Sequence, residues 1–393
     1  MFISIIGPKA SGKEEVANYL VTKLGFTRIY FVAGNLHSTA TVNGNGVETD
    51  GEEQRVFTTA KHLINFITPR WRQNFVSTDI TSPVDLYLMW KRPFVLVVGV
   101  DAPMGTRFKR YCAKAVNTGH GPLTLAQFVE MDDALLYRCE DPPTNVAALV
   151  AASDLEPQLT SETILSDSPM QPVAVPLPPQ AVLLSPIIRN AADAHELNLK
   201  RVLSSANVTI ANTFATIAEL HKHLDHLDLL NPERLRPSWD TYFMLLSELA
   251  SHRANCMKRK VGCILVKDNQ IIATGYNGTP KGITNCNEGG CPRCNDGTPC
   301  GVSLDHCLCI HAEENALLEA GRGRVRNATG VVLYCNTCPC LGCAKKIVQV
   351  GVKVVVYSKG YGMDQLTLKL FKEANIVVRQ HTPPTLSMEI GSP

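Results

Sequence analysis

Two short stretches near the carboxyl end of the chain decide its fold: His311-Ala312-Glu313-Glu314-Asn315-Ala316 and Pro339-Cys340-Leu341-Gly342-Cys343. Each comes at the start of a helical pattern, and the apolar run 331–335 between them is typical of a buried strand. Strands that are joined through helices are expected to lie parallel, with the helices on the faces of the sheet. The two stretches therefore place a histidine and two cysteines at neighbouring helix starts.

The pattern around these stretches predicts an α/β/α domain over residues 236–381. Ser238 is a candidate N-cap for a helix that runs to about Asn255, and a hairpin follows with strands at 261–266 and 271–276. Further helices are predicted at 311–320, 341–350 and 364–374, and further strands at 331–335, 353–357 and 376–379. Together these strands predict a mixed five-stranded sheet.

Residues 1–230 alternate apolar runs with helical patterns, which predicts a parallel α/β domain. The clearest strands are at 3–6, 94–100 and 208–212, and the clearest helices are at 13–24, 103–116, 123–136 and 217–223. Repeated prolines between about 153 and 195 interrupt any pattern and predict an insertion or linker. The tail 382–393 has no pattern and is expected to be loose.

Composition limits the function classes that need to be considered. A chain of 393 residues suggests two domains. Its 38 Lys+Arg against 36 Asp+Glu give no sign of the basic footprint of a nucleic-acid binder. The sequence has neither a signal-peptide pattern nor a run of about 18 apolar residues, so no membrane partner is expected. We expect a soluble protein of the cytoplasm, with the nucleus as a second compartment.

The cysteines indicate metal binding. All of the 14 except Cys112 and Cys139 lie between Cys256 and Cys343, and clustered cysteines in a reducing compartment are more often metal ligands than disulfides. A catalytic zinc keeps three protein ligands and one open position, and His311, Cys340 and Cys343 form such a set.

Glu313 adds the second half of a catalytic pattern. It follows His311 by two residues, a spacing that turns it away from the metal but leaves it near a metal-bound water. His-x-Glu with Pro-Cys-x-x-Cys is the signature of zinc-dependent nucleobase deaminases, in which the Glu is the general acid and base. Zinc lowers the pKa of its water to about 7, and Glu313 would carry a proton to N3 of cytosine. A purely structural zinc is the less favoured alternative.

The run from Trp239 to Gln380 resembles deoxycytidylate (dCMP) deaminases, and the cysteine-rich segment 285–295 together with 311–316 is similar to the fungal form. This resemblance implies a cytidine-deaminase-like fold and the hydrolysis of dCMP to dUMP, which supplies thymidylate synthesis. It also implies a homohexamer that dCTP activates and dTTP inhibits. Mg²⁺ is a further expected ion, in company with the nucleotide effectors.

The segment Gly275-Tyr276-Asn277-Gly278-Thr279-Pro280 is similar to one that the family uses for substrate and effector. The resemblance makes Asn277 a candidate substrate residue, with Tyr276 and Gly278 beside it. The alternative is a glycine-flanked turn in which the Asn adopts the left-handed conformation. For Gly275 and Gly278 that turn is the favoured interpretation.

The remaining cysteines resemble the ligands of a second, structural zinc of the family. Cys256 and Cys286 match ligand positions, and several residues compete to complete the set: Cys291, Cys294, Cys300, Cys307, Cys309 and His306. The expected ligands are Cys256, Cys286, Cys294 and Cys307, with Cys291 next. Cys309 and Cys263 are expected to be buried free thiols, and Cys335 and Cys338 are left out of both sites.

The segment from Gly7 to Lys13 follows a strand and opens a helix, which is the context of a Walker A phosphate loop. Gly7, Gly12 and Lys13 are its candidate phosphate-binding residues. The next residue is Glu14, where a hydroxyl would hold Mg²⁺. The domain resembles P-loop nucleoside-monophosphate and dephospho-coenzyme A kinases in a degenerate form. A regulatory or scaffolding role is therefore favoured over an active kinase.

Two other functions remain open at this point. One is a P-loop nucleotide kinase whose carboxyl-terminal domain is a zinc-bound assembly module; a Ser or Thr after Lys13 would have favoured it. The other is a deaminase that acts on a nucleoside or on a base within RNA. A nucleic-acid enzyme should show a basic groove with aromatic platforms, and few aromatic residues lie near these motifs.

Overall fold

The chain divides into two units, Met1–Asn231 and a second that begins at Pro232. The structure is a computed structural model and describes residues 1–32, 47–49, 52–117, 123–137, 198–299, 301–326, 330–360 and 364–384. The predicted insertion at 153–195 and residues 385–393 of the predicted tail lie outside the described residues.

The first unit is built on a parallel five-stranded sheet. Its strands are β1 (Phe2–Ile6), β2 (Thr27–Arg28), β7 (Phe75–Ser77), β8 (Val95–Asp101) and β9 (Val208–Ala211), in the order β2-β7-β1-β8-β9. Two small pairs lie outside it: β3 (Tyr30–Phe31) with β6 (Val56–Phe57), and β4 (Val47–Thr49) with β5 (Glu52–Gln54). The central strand β1 is buried along its whole length, as expected for a parallel sheet that is covered on both faces.

The helices of the first unit alternate with these strands. They are α1 (Lys13–Leu24), α2 (Ala60–Ile67), α3 (Pro83–Trp90), α4 (Met104–Asn117), α5 (Leu125–Tyr137), α6 (Leu199–Ser204) and α7 (Ile217–Leu227). Helix α1 begins directly after the loop that leaves β1, so residues 7–12 lie at the carboxyl end of the central strand. This is the edge at which ligands of open α/β sheets bind.

The second unit is an α/β/α domain with a mixed sheet. Its strands are β10 (Gly262–Lys267), β11 (Gln270–Tyr276), β12 (Val332–Thr337), β13 (Val354–Lys359) and β14 (Val377–Gln380), in the order β11-β10-β12-β13-β14. Its helices are α8 (Trp239–Ser251), α9 (Pro292–Asn295), α10 (Ala312–Arg326), α11 (Leu341–Val350) and α12 (Asp364–Glu373). Strand β10 pairs antiparallel with both neighbours, whereas β12, β13 and β14 are parallel.

The predicted parallel sheet and the predicted mixed five-stranded sheet are both confirmed. The sequence interpretation missed β2 and β7, which have two and three residues, because such short runs carry no measurable periodicity. It also missed α2 and α3. Within the part of the chain that the structure describes, no helix is both long and apolar enough to cross a membrane.

A buried ion pair joins two helices of the first unit. Arg107 on α4 donates from Nη1 to Oδ1 of Asp132 at 2.6 Å and from Nη2 to Oδ2 at 2.7 Å. The two side chains are 5% and 1% exposed. A paired buried charge contributes little net stability, but removal of Asp132 would leave the buried Arg107 with the longer pair to Asp101 at 3.8 Å.

We expect Asp132→Asn to destabilise the first unit by about 3 kcal/mol or more, because an amide donor would then face the Arg107 guanidinium. The measurement is hydrogen exchange of the α4 and α5 amides in urea. The matched control is Lys23→Met, which breaks a half-exposed ion pair with Asp225 at 3.6 Å and should cost less than about 1 kcal/mol. Equal destabilisation by the two variants would contradict the claim that the buried pair of Arg107 and Asp132 is the more important one.

Candidate metal centres

The three residues predicted to hold the catalytic metal come from two helix starts. His311 directly precedes α10, and Cys340 is the N-cap residue of α11. The Cys340 sulfur accepts a hydrogen bond from the backbone N–H of Cys343 at 3.5 Å. A helix N-terminus favours a negative charge, so this position supports a thiolate.

The structure brings these three side chains together. Nδ1 of His311 lies 3.4 Å from Sγ of Cys340 and 3.4 Å from Sγ of Cys343, and all three atoms lie within 4.8 Å of one another. A tetrahedral zinc with ordinary bond lengths sets neighbouring nitrogen and sulfur ligands about 3.6 Å apart. The donor set and its spacing therefore fit a zinc ion with three protein ligands.

The ionisation of this group follows from its hydrogen bonds. Hydrogen bonds with Cys343 and His311 lower the pKa of the Cys340 thiol to about 3. The Cys340 thiolate in turn raises the pKa of His311 to about 9. At neutral pH the pair is thiolate and imidazolium, so zinc binding would release the proton of His311.

Glu313 lies in the first turn of α10 and is 4% exposed. Burial raises the pKa of its carboxyl group to about 7, because the charged form is poorly solvated there. Among the described residues, the group of metal-capable side chains around His311 does not include Glu313. A buried carboxyl beside this group, with a proton affinity matched to neutral pH, is suited to move protons.

Asn277 follows strand β11 and is held at both ends of its amide. Its Oδ1 accepts the N–H of Val261 at 2.8 Å, and its Nδ2 donates to the carbonyl of Arg259 at 2.7 Å. The expected left-handed turn is wrong, because Gly275 lies within β11 and neither Asn277 nor its glycine neighbours have positive φ.

Gly275 and Gly278 are explained by close packing. A Cβ on Gly275 would lie 2.2 Å from the carbonyl oxygen of Ala312, and a Cβ on Gly278 would lie 2.3 Å from Oδ1 of Asn255. Gly275 therefore lets the first turn of α10 lie directly on β11. Asn315, which the sequence interpretation did not single out, strengthens this contact by donating to the carbonyl of Tyr276 at 3.0 Å.

Six further cysteines gather in the segment between β11 and α10 and just after α8. Their sulfurs form two groups of four, each within 4.8 Å: Cys256, Cys286, Cys294 and Cys309, and Cys291, Cys294, Cys307 and Cys309. The predicted second site had Cys307 where the first group has Cys309. The described sulfurs do not group Cys307 with Cys256 and Cys286. Sequence spacing could not separate Cys307 from Cys309, because both precede His311 by only a few residues.

Two further candidates for that second site, His306 and Cys300, are not in the groups that the described residues form. His306 is exposed and pairs with Asp305, and Cys300 lies outside the described residues. Cys263 and Cys335 are fully buried in the core of the second unit, as expected for structural thiols.

The phosphate-loop candidates lie between β1 and α1. Gly12 has φ of 100°, and a Cβ on Gly7 would lie 2.1 Å from the carbonyl oxygen of Val100. Burial lowers the pKa of Lys13. Glu14 forms an ion pair with Arg28 at 2.7 Å, so its carboxylate is turned to a neighbouring cation.

Comparison with known proteins gives consistent results. The family model of the cytidine and deoxycytidylate deaminase zinc-binding region matches residues 237–359. A deoxycytidylate deaminase of Schizosaccharomyces pombe is 41% identical over 388 residues, which cover 98% of this chain and 99% of the relative. A deoxycytidylate deaminase of Saccharomyces cerevisiae is 59% identical over 160 residues, which cover 40% of this chain and 50% of the relative.

Among solved structures, the dCMP deaminase of cyanophage S-TIM5 in complex with dCMP and dUMP is 32% identical. The match covers 37% of this chain and 98% of the phage protein, with a TM-score of 0.30. The S. pombe match, in contrast, extends through both units of this chain.

We expect Gly275→Ala to destabilise the second unit by about 2 kcal/mol and to weaken zinc retention, because α10 would have to move away from β11. Thermal unfolding and zinc content measure the two effects. The matched control is Gly323→Ala in α10, beyond the non-helical Gly321, where a Cβ meets nothing within 4 Å. It should be neutral or stabilise by up to about 1 kcal/mol. A neutral Gly275→Ala would contradict the packing argument.

Proposed function

This chain belongs to the deoxycytidylate deaminase family, and from that membership we infer that it is an enzyme that hydrolyses dCMP to dUMP and ammonia. One observation above all carries the inference from family to chemistry. The buried carboxyl of Glu313 lies beside three side chains whose spacing fits a zinc ion. Metal-assisted attack of water needs this combination of a metal site and a proton carrier.

His311, Cys340 and Cys343 would hold the zinc through Nδ1 and two sulfurs. A bound zinc supplies Lewis-acid activation of a water molecule near neutral pH. The protein holds its ligands in place from two sides: α10 packs on β11 through Gly275, and α11 places Cys340 at its N-cap. Lys346 forms an ion pair with Glu314 at 2.7 Å, which ties α11 to the first turn of α10.

Glu313 would carry the protons of the reaction. Its carboxylate takes a proton from the attacking water and gives it to N3 of the cytosine ring, so that C4 accepts the oxygen. The second proton of that water then reaches the amino group, the bond from C4 to nitrogen breaks, and ammonia leaves. A carboxyl pKa of about 7 suits a group that must accept and donate within one cycle.

We expect Glu313→Gln to lower kcat for dCMP by about 100-fold or more while the purified variant keeps its zinc, because the amide cannot carry the proton. Ammonia release and metal analysis are the two measurements. Glu319→Gln is the matched control, since Glu319 lies on the exposed face of the same helix, away from the metal-capable group. Full activity of Glu313→Gln would contradict the assigned role.

The same assay separates the rival functions when cytidine and a cytosine-containing oligonucleotide are offered beside dCMP. The family membership favours the free nucleotide. If dCMP is untouched while either of the others is converted, the proposed substrate is wrong. An arm with dCMP and ATP tests the kinase alternative through the appearance of dCDP.

For the first unit we propose a regulatory or scaffolding role in the same enzyme. The loop from Gly7 to Lys13 lies between β1 and α1, and two of its residues, Ala10 and Gly12, have positive φ. Glu14, however, stands where a hydroxyl would hold Mg²⁺, and its carboxylate is engaged by Arg28. This arrangement is suited to stabilise the unit or to bind an effector rather than to transfer a phosphoryl group.

Regulation and assembly of the kind implied by the family are further proposals. The enzyme would supply dUMP for thymidylate synthesis, as a homohexamer that dCTP, with Mg²⁺, activates and dTTP inhibits. Asn277, Tyr276 and Gly278 are the candidate residues for substrate or effector. The amide of Asn277 retains one donor and one lone pair beyond its bonds to Arg259 and Val261.

We expect dCTP to raise and dTTP to lower the rate of dCMP deamination at a dCMP concentration below KM, since effectors act through differential affinity for two states. Initial rates with Mg²⁺ present measure both effects. dGTP at equal concentration is the control for simple chelation of metal by a triphosphate. If dCTP and dTTP act no differently from dGTP, the proposed regulation is wrong.

A further inference from the structure

Cys256 and the five described cysteines of the segment 286–309 form a second region of metal-capable side chains, separate from His311, Cys340 and Cys343. Their two groups of four sulfurs are not independent, because Cys294 and Cys309 belong to both. Cys256 and Cys286 complete the first group, and Cys291 and Cys307 complete the second. Two four-sulfur sites therefore share one edge.

The distances within both groups match metal coordination. A tetrahedral zinc with thiolates at about 2.3 Å has sulfur–sulfur edges of about 3.8 Å. In the first group Cys256 lies 3.9 Å from Cys294. In the second group Cys307 lies 3.8 Å from Cys294 and 4.0 Å from Cys291. The shared edge from Cys294 to Cys309 measures 4.0 Å.

We propose that these six thiolates hold two zinc ions as a binuclear cluster in which the sulfurs of Cys294 and Cys309 bridge the metals. Each ion then has two terminal and two bridging ligands, which is a closed tetrahedral set of the structural kind. Two dications offset four of the six thiolate charges. A single zinc would leave two of the six sulfurs without a metal.

In each group of four, one terminal sulfur accepts a hydrogen bond from a backbone N–H. The N–H of Met257 points to Sγ of Cys286 at 3.4 Å, and the N–H of Leu308 points to Sγ of Cys291 at 3.3 Å. Hydrogen bonds of this kind orient ligands and stabilise the anionic form. A single zinc in the first group would leave the fully buried Cys291 with its backbone hydrogen bond but without a metal.

The packing of the segment gives an independent reason. Within the described residues, the buried hydrophobic cluster at this place consists of Cys286, Cys291 and Cys294, and the partly buried hydrophobic residues packed against it are also cysteines. Side chains on its surface close it from outside, as Arg293 donates to the carbonyl of Val302 at 2.8 Å and Lys258 to that of Thr298 at 2.8 Å. Metal–sulfur bonds would replace the missing apolar core.

The cysteine group is also linked through the backbone to the candidate catalytic metal site. Cys309 precedes His311 by two residues, and Ile310 between them exchanges backbone hydrogen bonds with Gly278 at 2.8 and 3.2 Å. The bridging sulfur of Cys309 would thus anchor both His311 and the strand end that carries Asn277. Loss of a cluster metal should loosen the site without removing any of its ligands.

Metal analysis of the full-length protein tests the proposal. We expect about three zinc ions per chain, two in the cluster and one at His311, Cys340 and Cys343, by elemental analysis and by native mass spectrometry. X-ray absorption at the zinc edge should show a zinc–zinc scattering path, which isolated ions lack. Two zinc ions per chain, or three without that path, would overturn the proposal.

A pair of variants locates the second ion. Cys291→Ser with Cys307→Ser should reduce the content from about three to about two zinc ions and abolish the zinc–zinc path, because only the second site loses its terminal ligands. Cys112→Ser, in the other unit, is the matched control and should keep both. Full zinc content in the folded double variant would overturn the proposal. If that variant does not fold, absorption by the unmodified protein still decides the question.

Discussion

The second unit depends on the convergence of two helix starts at one end of its sheet. Strand β12 separates α10 from α11 in sequence, yet His311 and Cys340 must approach within 3.4 Å. Two features make this possible. Gly275 has no side chain, so α10 can pack directly on β11. Cys340 is the N-cap residue of α11, which places its sulfur at the helix start beside His311. The same convergence brings Glu313 into a buried position, where the cost of its charge sets a proton affinity near neutral pH.

The central part of this arrangement could be predicted from the sequence because its information is local. His311, Cys340 and Cys343 lie directly at helix starts, and a helix start after a buried strand is a strong periodic signal. The mixed sheet followed from the same signal, since one hairpin precedes strands that are joined through helices. The role of Gly275 could not be predicted in this way. Its cause is a contact with Ala312, which lies far along the chain.

The cysteine-rich segment marks the limit of such prediction. Its described part has little periodic structure, with the four residues of α9 and two 3-10 turns of three residues each, so spacing does not determine which sulfurs meet. Cys307 and Cys309 are separated by a single residue, yet Cys309 belongs to both four-sulfur groups and Cys307 to one. Two residues of extended chain place side chains on the same side, which explains why both sulfurs reach the cluster. Their different neighbours are decided by the fold of residues 286–295.

The two groups of metal-capable residues in the second unit are stabilised in different ways. The sheet and its helices have an apolar core of their own, in which Leu265, Leu333 and Val355 are fully buried, so the catalytic ligands are held by packing that exists without metal. The cysteine segment has sulfur where an apolar core would be, so with the proposed zinc ions bound its order would come from metal binding. Ile310, which lies between Cys309 and His311, exchanges backbone hydrogen bonds with Gly278. Disorder in the cysteine segment would therefore first change the position of His311. If the proposed zinc ions are present, loss of metal from the cysteine segment would disturb the geometry around His311 without unfolding the apolar core of the second unit.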